Sequence, residues 1–316
     1  MSNSLSSPIF HDADKAREWL EARIWKNGPI CPHCGVEGQA TLMQGKTTRP
    51  GLYNCNACRE PFTVTVGTLY ERSKIPLNKW LAATFLIMSS KKGISALQVG
   101  RMIGVSKKTA WFLCHRIRES LRDTDLSPIG GQNKVVEIDE TYVGGKEKNK
   151  HANKRLREGR GAVGKAPVVS LVERGGNVRS MHLPEVTSKT LRPILETHIS
   201  KKTYLMTDES KVYPPITDEF AGHGTVNHSA GEYGRGVFWH TNTVENYFSI
   251  LKRGIVGTFH HVSQQHLARY VAEFDYRYNN REGLGVDDMG RFEKSVPGIV
   301  GKRLTYRRPN EEMTAP

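Results

Sequence analysis

Two closely spaced pairs of cysteines constrain the fold of this chain more than any other feature of its sequence. Cys31 and Cys34 form the first pair, Cys55 and Cys58 form the second, and twenty residues separate the pairs. Zinc prefers four tetrahedral thiolates, and two turns that each offer a CxxC pair can supply them. Because the separation has the length of a β-hairpin, as in zinc ribbons, we expect a structural Zn²⁺ at these four cysteines.

The alternative for the same cysteines is a pair of disulfides, which a reducing cytosol opposes. A catalytic zinc is not expected either, since four thiolates leave no open coordination position. The fifth cysteine, Cys114, lies on a predicted helical face beside apolar residues. We therefore expect Cys114 to be buried and inert.

The charge of the chain indicates what it binds. Its 316 residues include 46 Lys and Arg against 32 Asp and Glu, which gives a net charge of +14. Such an excess favours a polyanionic partner, most simply nucleic acid, although a merely basic soluble protein is the plainer alternative. No apolar run is long enough to cross a bilayer and the N-terminus lacks the layout of a secretory signal, so we expect a soluble protein without a membrane partner.

Helical periodicity runs through residues 77–122, and its centre fits a helix-turn-helix. Gly104 supplies the turn and Ser106 can cap the second helix. The exposed start of that helix, which would meet the major groove, is Lys107, Lys108 and Thr109. Arg116 and Arg118 are further candidates to contact phosphates. The alternative is a plain three-helix bundle in which the lysines are only solvated surface.

Beyond a Pro- and Gly-containing linker at 127–132, strands and helices mix. We predict a buried strand over 134–143, a hairpin around Gly175 and Gly176, a strand over 203–208 and a weaker one over 225–229. The predicted helices cover 188–200, 242–253 and 263–281. A basic, Gly-rich segment spans 144–165.

Three acids lie at informative places in this pattern. Asp139 and Asp208 each follow an apolar strand, and Glu245 lies near the start of a helix. Neighbouring strands would bring the two aspartates together, and a helix packed across the sheet can add the third acid. Such a carboxylate cluster suits two Mg²⁺ ions, which can activate the attacking oxygen and stabilise the leaving oxygen in phosphodiester cleavage.

Each acid also has an ordinary explanation. An aspartate at a strand end is usually a turn former, and a glutamate near a helix start is favoured by the helix dipole. Glu140 and Glu209 compete with their neighbours Asp139 and Asp208, but alternation along a strand points them to the opposite face. Glu137 shares the face of Asp139 and is a possible secondary acid.

Four segments of the chain resemble the insertion-sequence transposases that carry a zinc ribbon, a helix-turn-helix and an acid-triad (DDE) domain, bacterial relatives of the Merlin transposases. The segments are CPHCG…CNACRE, VVEIDETYVGGK, YLMTDES and HTNTVENYFSILKRGIVGTFHHVSQQHLARYVAEFDYRYNNR. Together they span roughly residues 28 to 282. The resemblance implies a ribonuclease-H-like fold with a mixed five-stranded sheet.

The resemblance also implies roles for the acids and for a basic pair. Asp139 and Asp208 would bind two Mg²⁺ ions, with Mn²⁺ as a possible substitute, and Glu245 would complete the set. Because some relatives carry asparagine as the third residue, Asn242 and Asn246 are rivals, although a carboxylate is the better metal ligand. Lys252 and Arg253 would touch phosphate near the cut site, and the alternative for them is a solvated pair.

These observations predict a multidomain α+β and α/β protein. The predicted parts are a helix and zinc ribbon at 1–70, a helix-turn-helix domain at 71–126, a catalytic domain at 133–298 and a basic tail at 299–316. The predicted function is a DNA transposase that binds the terminal inverted repeats of its element, frees a 3′-hydroxyl and joins it to target DNA. We expect at least a homodimer on double-stranded DNA, in the cytoplasm and associated with the bacterial nucleoid.

Two alternatives to this function stay open. One is a zinc-ribbon, helix-turn-helix regulator whose catalytic domain is inactive. The other is a nuclease of the same fold that cuts without strand transfer.

Overall fold

The computed structural model describes residues 4–122, 127–145, 147–155, 162–227 and 238–305. It divides into two compact units, one formed by Met1–Leu121 with Val286–Pro316 and the other by Arg122–Gly285. Parts of three predicted segments lie outside the described residues: the basic segment 144–165, the strand 225–229 and the C-terminal tail. None of the described helices is long and apolar enough to cross a membrane.

The regular elements of the described residues follow in chain order. The α-helices are α1 (Ala13–Ile24), α2 (Leu77–Ser89), α3 (Ala96–Ile103), α4 (Lys107–Ser120), α5 (Ser188–His198), α6 (Pro214–Thr217), α7 (Asn242–Gly254), α8 (Gln264–Asn279) and α9 (Asp288–Ser295). The strands are β1 (Ala40–Leu42), β2 (Tyr53–Cys55), β3 (Pro61–Phe62), β4 (Val135–Val143), β5 (Ala166–Glu173), β6 (Val178–His182), β7 (Tyr204–Asp208) and β8 (Gly222–Val226).

The first unit contains the predicted ribbon. Its strands pair antiparallel in the order β1-β2-β3. The small core beneath them is aromatic, with the edge of Trp25 against Tyr53 at 5.3 Å and against Phe62 at 5.8 Å between ring centroids. So small an apolar core supplies little stability without a crosslink or a metal.

Helices α2, α3 and α4 form the predicted helix-turn-helix. Ser95 caps α3 and Ser106 caps α4, each through a side chain that accepts a backbone N–H. Gly104 ends α3 in the left-handed region at φ 65°, where a side chain is disfavoured. Gly100 allows α3 and α4 to approach closely, because an added Cβ would lie 3.0 Å from that of Ala110.

The structure divides the chain differently from the predicted domain boundaries. The ribbon and the helix-turn-helix lie in one unit, and the segment from Val286 onward returns to that unit instead of continuing the catalytic domain to 298. The physical reason is the apolar face of α9. Its Phe292 is fully buried and stacks on Trp19 at 5.0 Å.

The second unit is built on a five-stranded mixed sheet in the order β6-β5-β4-β7-β8. β4 pairs antiparallel with β5 and parallel with β7, and β8 continues parallel to β7. One face of the sheet packs on α7 and α8, and the other carries α5 and α6. This topology is ribonuclease-H-like, as predicted. The strand predicted over 225–229 begins earlier, at Gly222 in β8.

The edge strand β6 is closed by side chains instead of by another strand. Asn279 of α8 accepts the backbone N–H of Val178 at 2.7 Å and donates to its carbonyl at 2.9 Å. Asp275 accepts the backbone N–H of Ser180 at 2.7 Å. Because these polar groups are satisfied, this part of the edge offers no template for pairing with another chain.

Candidate active site

The parallel pairing of β4 with β7 sets the two aspartates side by side. Val135 pairs with Tyr204 and Glu137 with Met206, so the same register carried two residues further places Asp139 opposite Asp208. Asp208 is the last residue of β7, as predicted. Asp139, however, lies in the middle of β4 and does not end it, because β5 continues to pair with β4 as far as Val143.

The carboxylate of Asp139 lies among other negative charges. Burial raises its pKa to about 7, opposed by a hydrogen bond from the backbone N–H of Glu140 and reinforced by the charges of Glu140, Asp208 and Glu245. The backbone N–H of Glu140 donates to Asp139 Oδ1 at 2.7 Å. Asp208 and Glu245 are therefore both within electrostatic reach of Asp139.

The geometry of helix α7 distinguishes Glu245 from Asn242 and Asn246, the alternatives for the third acid. Its buried face is made of Val244, Tyr247, Phe248 and Leu251. At about 100° per residue, Glu245 lies at the border of that face, whereas Asn242 and Asn246 point away from it. All three side chains are exposed, and the charge of Glu245 is close enough to Asp139 to raise its pKa. Thr241 Oγ1 holds the Glu245 carboxylate by donating to it at 3.0 Å.

The position of Lys252 follows from the same helical geometry. Lys252 lies seven residues after Glu245. This spacing is a rotation within about 20° of two complete helical turns, so both side chains leave α7 on the same side. Lys252 and its neighbour Arg253 are exposed. Arg253 projects from the outer side of the helix together with Asn242 and Asn246.

Glu140 points to the opposite face of the sheet from Asp139, as the alternation of β4 predicts. Its carboxylate accepts a hydrogen bond from the hydroxyl of the buried Tyr213 at 2.6 Å. Burial is the main cause that raises the pKa of Glu140. Glu140 thus adds charge behind Asp139 while its own carboxylate is bound to Tyr213.

The structure gives Glu137 a set of hydrogen bonds that the sequence analysis did not predict. It is fully buried on the Asp139 face of β4 and accepts hydrogen bonds from the backbone N–H groups of Thr243 and Val244, at 2.7 and 2.9 Å. Arg174 Nε donates to it at 2.6 Å. Glu137 therefore binds the first turn of α7, and a role as a secondary metal-binding acid does not fit because its oxygens are already engaged.

The four predicted zinc ligands converge in the first unit. The sulfur atoms of Cys31, Cys34, Cys55 and Cys58 all lie within 4.8 Å of one another. The sulfur–sulfur distance is 3.6 Å both from Cys31 to Cys58 and from Cys34 to Cys55, too long for disulfides, and all four cysteines are free. Among the described residues, no other group of three or more potential ligands is this compact.

The backbone around these sulfurs also fits a thiolate site. The N–H groups of Cys58 and Ala57 point at Cys55 and, despite some burial, lower the pKa of its thiol to about 6. The residues after the two CxxC pairs, Gly35 and Arg59, adopt matching left-handed conformations at φ 77° and 65°. Two equivalent turns therefore present the four sulfurs to one point, as tetrahedral zinc requires.

The predicted DNA-contacting residues of α4 divide into two groups. Lys107 and Lys108 are exposed and Thr109 is partly exposed at the start of the helix. Arg116 and Arg118, by contrast, are buried at 9% and 1% exposure. Arg116 packs over Trp80 and donates to the carbonyl of Glu71 at 3.0 Å. The structure thus gives Arg116 a packing role in place of the predicted phosphate contact.

Comparisons with known proteins found two matching family models, one relative and one solved structure. The ISXO2-like transposase domain model matches residues 130–279, and the transposase zinc-ribbon domain model matches residues 11–60. An uncharacterized protein in transposable element ISH50 of Halobacterium salinarum is 30% identical over 273 residues, which cover 83% of this chain and 90% of that protein. A crystal structure of a pre-cleavage Mos1 transpososome matches 68% of this chain and 74% of its own at 10% identity, with a TM-score of 0.25.

The two family models and the relative from a transposable element identify the chain as a transposase. The chain belongs to the ISXO2-like family of insertion-sequence transposases with an N-terminal zinc ribbon.

The raised pKa of Asp139 predicts a stability that depends on pH. The pKa of about 7 in the folded state lies above the ordinary aspartate value of 3.8, so the folded state binds this proton more tightly. Stability from this group is therefore complete below pH ~4 and is lost as the pH rises to ~7, by at most about 4 kcal/mol. Urea unfolding of zinc-loaded protein in magnesium-free buffer should show Asp139→Asn to be more stable than the parent at pH 8.

The exposed Glu282 of the same unit provides the control. Glu282→Gln should unfold like the parent chain at both pH 5 and pH 8. A less stable Asp139→Asn protein at pH 8 would contradict the idea that the acid cluster destabilises the unloaded fold.

Proposed function

We propose that this transposase cleaves a DNA strand at each end of its element, frees a 3′-hydroxyl and joins it to target DNA by phosphoryl transfer. The observation that carries the proposal is the cluster of Asp139, Asp208 and Glu245 beside the end of β7. Two further carboxylates within electrostatic reach of the half-buried Asp139 are unfavourable in an unloaded protein. They are useful where positive ions and a phosphodiester must be held together.

The donor set fits Mg²⁺, because it consists of carboxylate oxygens and the electrostatics favour added positive charge. Asp139, Asp208 and Glu245 are the residues that would hold two such ions, and Mn²⁺ accepts the same ligands. When bound, these ions would activate the attacking oxygen and stabilise the leaving oxygen.

The residues around the cluster have complementary roles. Lys252 leaves α7 on the same side as Glu245, where its ammonium group would bind a phosphate next to the cut and keep the strand in place. Arg253, on the outer side of the helix, would contact the backbone further away. These contacts would position the strand without selecting its sequence.

Recognition of the element ends is assigned to the first unit. Lys107, Lys108 and Thr109 stand at the exposed start of α4, the part of a recognition helix that meets base edges in the major groove. The zinc ribbon lies in the same unit and can add contacts to DNA. Two ends must be joined in one reaction, so we propose that at least two copies of the chain assemble on DNA.

The proposal is tested with the full-length, zinc-loaded protein and labelled duplexes that carry the inverted repeat of its element. With Mg²⁺ present, we expect a nick at the repeat boundary that leaves a 3′-hydroxyl, followed by joined products with a plasmid target. Pre-cut ends should join without the first step. Cleavage without joining would identify a nuclease, and binding without cleavage would identify a regulator.

A further inference from the structure

We infer that Glu137 is a positioning residue that fixes the third acid, Glu245, in place beside Asp139 by binding the first turn of α7. The inference rests on the proposed function, since it concerns the geometry of the same acid cluster. It assigns a task to a buried charge that neither contacts DNA nor belongs to the acid triad.

The contacts of Glu137 account for both of its carboxylate oxygens. Oε2 accepts the backbone N–H groups of Thr243 at 2.7 Å and Val244 at 2.9 Å. Oε1 accepts the hydroxyl of Thr243 at 2.8 Å and Nε of Arg174 at 2.6 Å. A carboxylate offers about four acceptor sites, so this one is saturated and is not available as a metal ligand.

These bonds serve as the N-terminal cap of α7. The side chain of Thr241, the residue before the helix, makes no capping hydrogen bond and instead holds Glu245. The free N–H groups of the first turn are thus satisfied by a charge from β4, which also interacts favourably with the positive end of the helix dipole.

The same bonds connect the strand that carries Asp139 to the helix that carries Glu245. Glu137 lies two residues before Asp139 on the same face of β4, and Val244 directly precedes Glu245. Along the chain, Glu137 and Thr243 are 106 residues apart. A displacement of the first turn of α7 would therefore move Glu245 relative to Asp139 without disturbing the sheet.

Arg174 makes this connection rigid. Besides its bond to Glu137, it donates to the carbonyl oxygens of Phe238 at 2.7 Å and His240 at 2.6 Å. Its guanidinium also lies over the Phe238 ring. The arginine thus neutralises the buried carboxylate and anchors the residues that lead into α7.

The test compares Glu137→Gln with the parent in the full-length, zinc-loaded protein. An amide keeps the size of the side chain but can accept at only one of its two ends, so the first turn of α7 should loosen. We expect the amides of Thr243 and Val244 to exchange hydrogen at least tenfold faster in magnesium-free buffer. Binding of end DNA should be unchanged, and cleavage should fall about 10²-fold, the usual scale for a misplacement of about 1 Å.

Glu273→Gln is the matched control, because Glu273 is equally buried and pairs with Arg277 along α8. It should leave hydrogen exchange in the first turn of α7 as it is in the parent. Thr243→Val removes one donor to Glu137 without altering a buried charge. It should cause a smaller increase in hydrogen exchange and a smaller loss of cleavage than Glu137→Gln. This variant keeps the inference testable if Glu137→Gln does not fold.

The inference would be overturned if Glu137→Gln or Thr243→Val loosened the first turn of α7 and cleavage stayed normal. That result would leave the proposed function intact. Unchanged exchange in both variants would overturn the inference as well. Failure of the proposed function would give a different result, because Asp139→Asn would then still cleave DNA.

Discussion

Replacement of Asp139 or Asp208 by asparagine should lower the rate of strand cleavage at least about 10³-fold while binding of end DNA is retained. The ions that these side chains are proposed to hold would supply several kcal/mol of charge stabilisation in the transition state, and each 1.36 kcal/mol is worth a factor of ten in rate. Glu245→Gln should cause a loss of similar order. Single-turnover cleavage of a labelled end duplex, together with a gel-shift measurement, separates chemistry from binding.

Matched variants on α7 decide which residue is the third acid. Asn242→Ala and Asn246→Ala change exposed side chains on the outer side of the helix, and both should cleave within a fewfold of the parent rate. If Asn246→Ala lost activity and Glu245→Gln kept it, the assignment of Glu245 would be wrong. If all three acid variants cleaved normally, the acid cluster would not be the active site.

Removal of the zinc should unfold the ribbon. The core of this part contains only a few residues, chiefly Trp25, Tyr53 and Phe62 beside the cysteines. Zinc binding to such small domains is worth about 10–16 kcal/mol, more than this core can supply alone. Elemental analysis should find one zinc per chain, and a chelator or Cys55→Ser should abolish protection of the β2 amides from hydrogen exchange.

Cys114→Ser provides the control for this experiment, because Cys114 is buried in α4, forms no disulfide and is not part of the cysteine cluster. It should retain the zinc and the protected amides of β2. A ribbon that stays protected after complete zinc removal would show that its aromatic core suffices, against our expectation.

Local signals in the sequence predicted much of this structure. The CxxC spacing fixes where the sulfurs meet, Gly104 and Ser106 mark the turn of the helix-turn-helix, and the apolar strands around Asp139 and Asp208 lead to adjacent positions in the sheet. Each of these features depends on residues close together in the chain, or on a geometry shared by all parallel strands.

The features that sequence reasoning missed depend on contacts between distant residues. Nothing near Glu137 indicates that its partners are Thr243 and Val244, because the bonds form only when α7 crosses the sheet. Likewise, the charge of Arg116 suggested a phosphate contact, whereas its long side chain is buried against Trp80. Periodicity shows which face of a helix is apolar but not which neighbour covers it.

The return of the C-terminal segment to the first unit has a consequence for synthesis. In chain order, the second unit is an insertion within the first, and α9 reaches α2 only after that insertion has been made. A ribosome therefore releases all residues of the sheet unit, which ends at Gly285, before the last part of the other unit is available. An element copy with a premature stop codon just after that point would encode a complete sheet unit, while the unit proposed to bind DNA would lack its final helix.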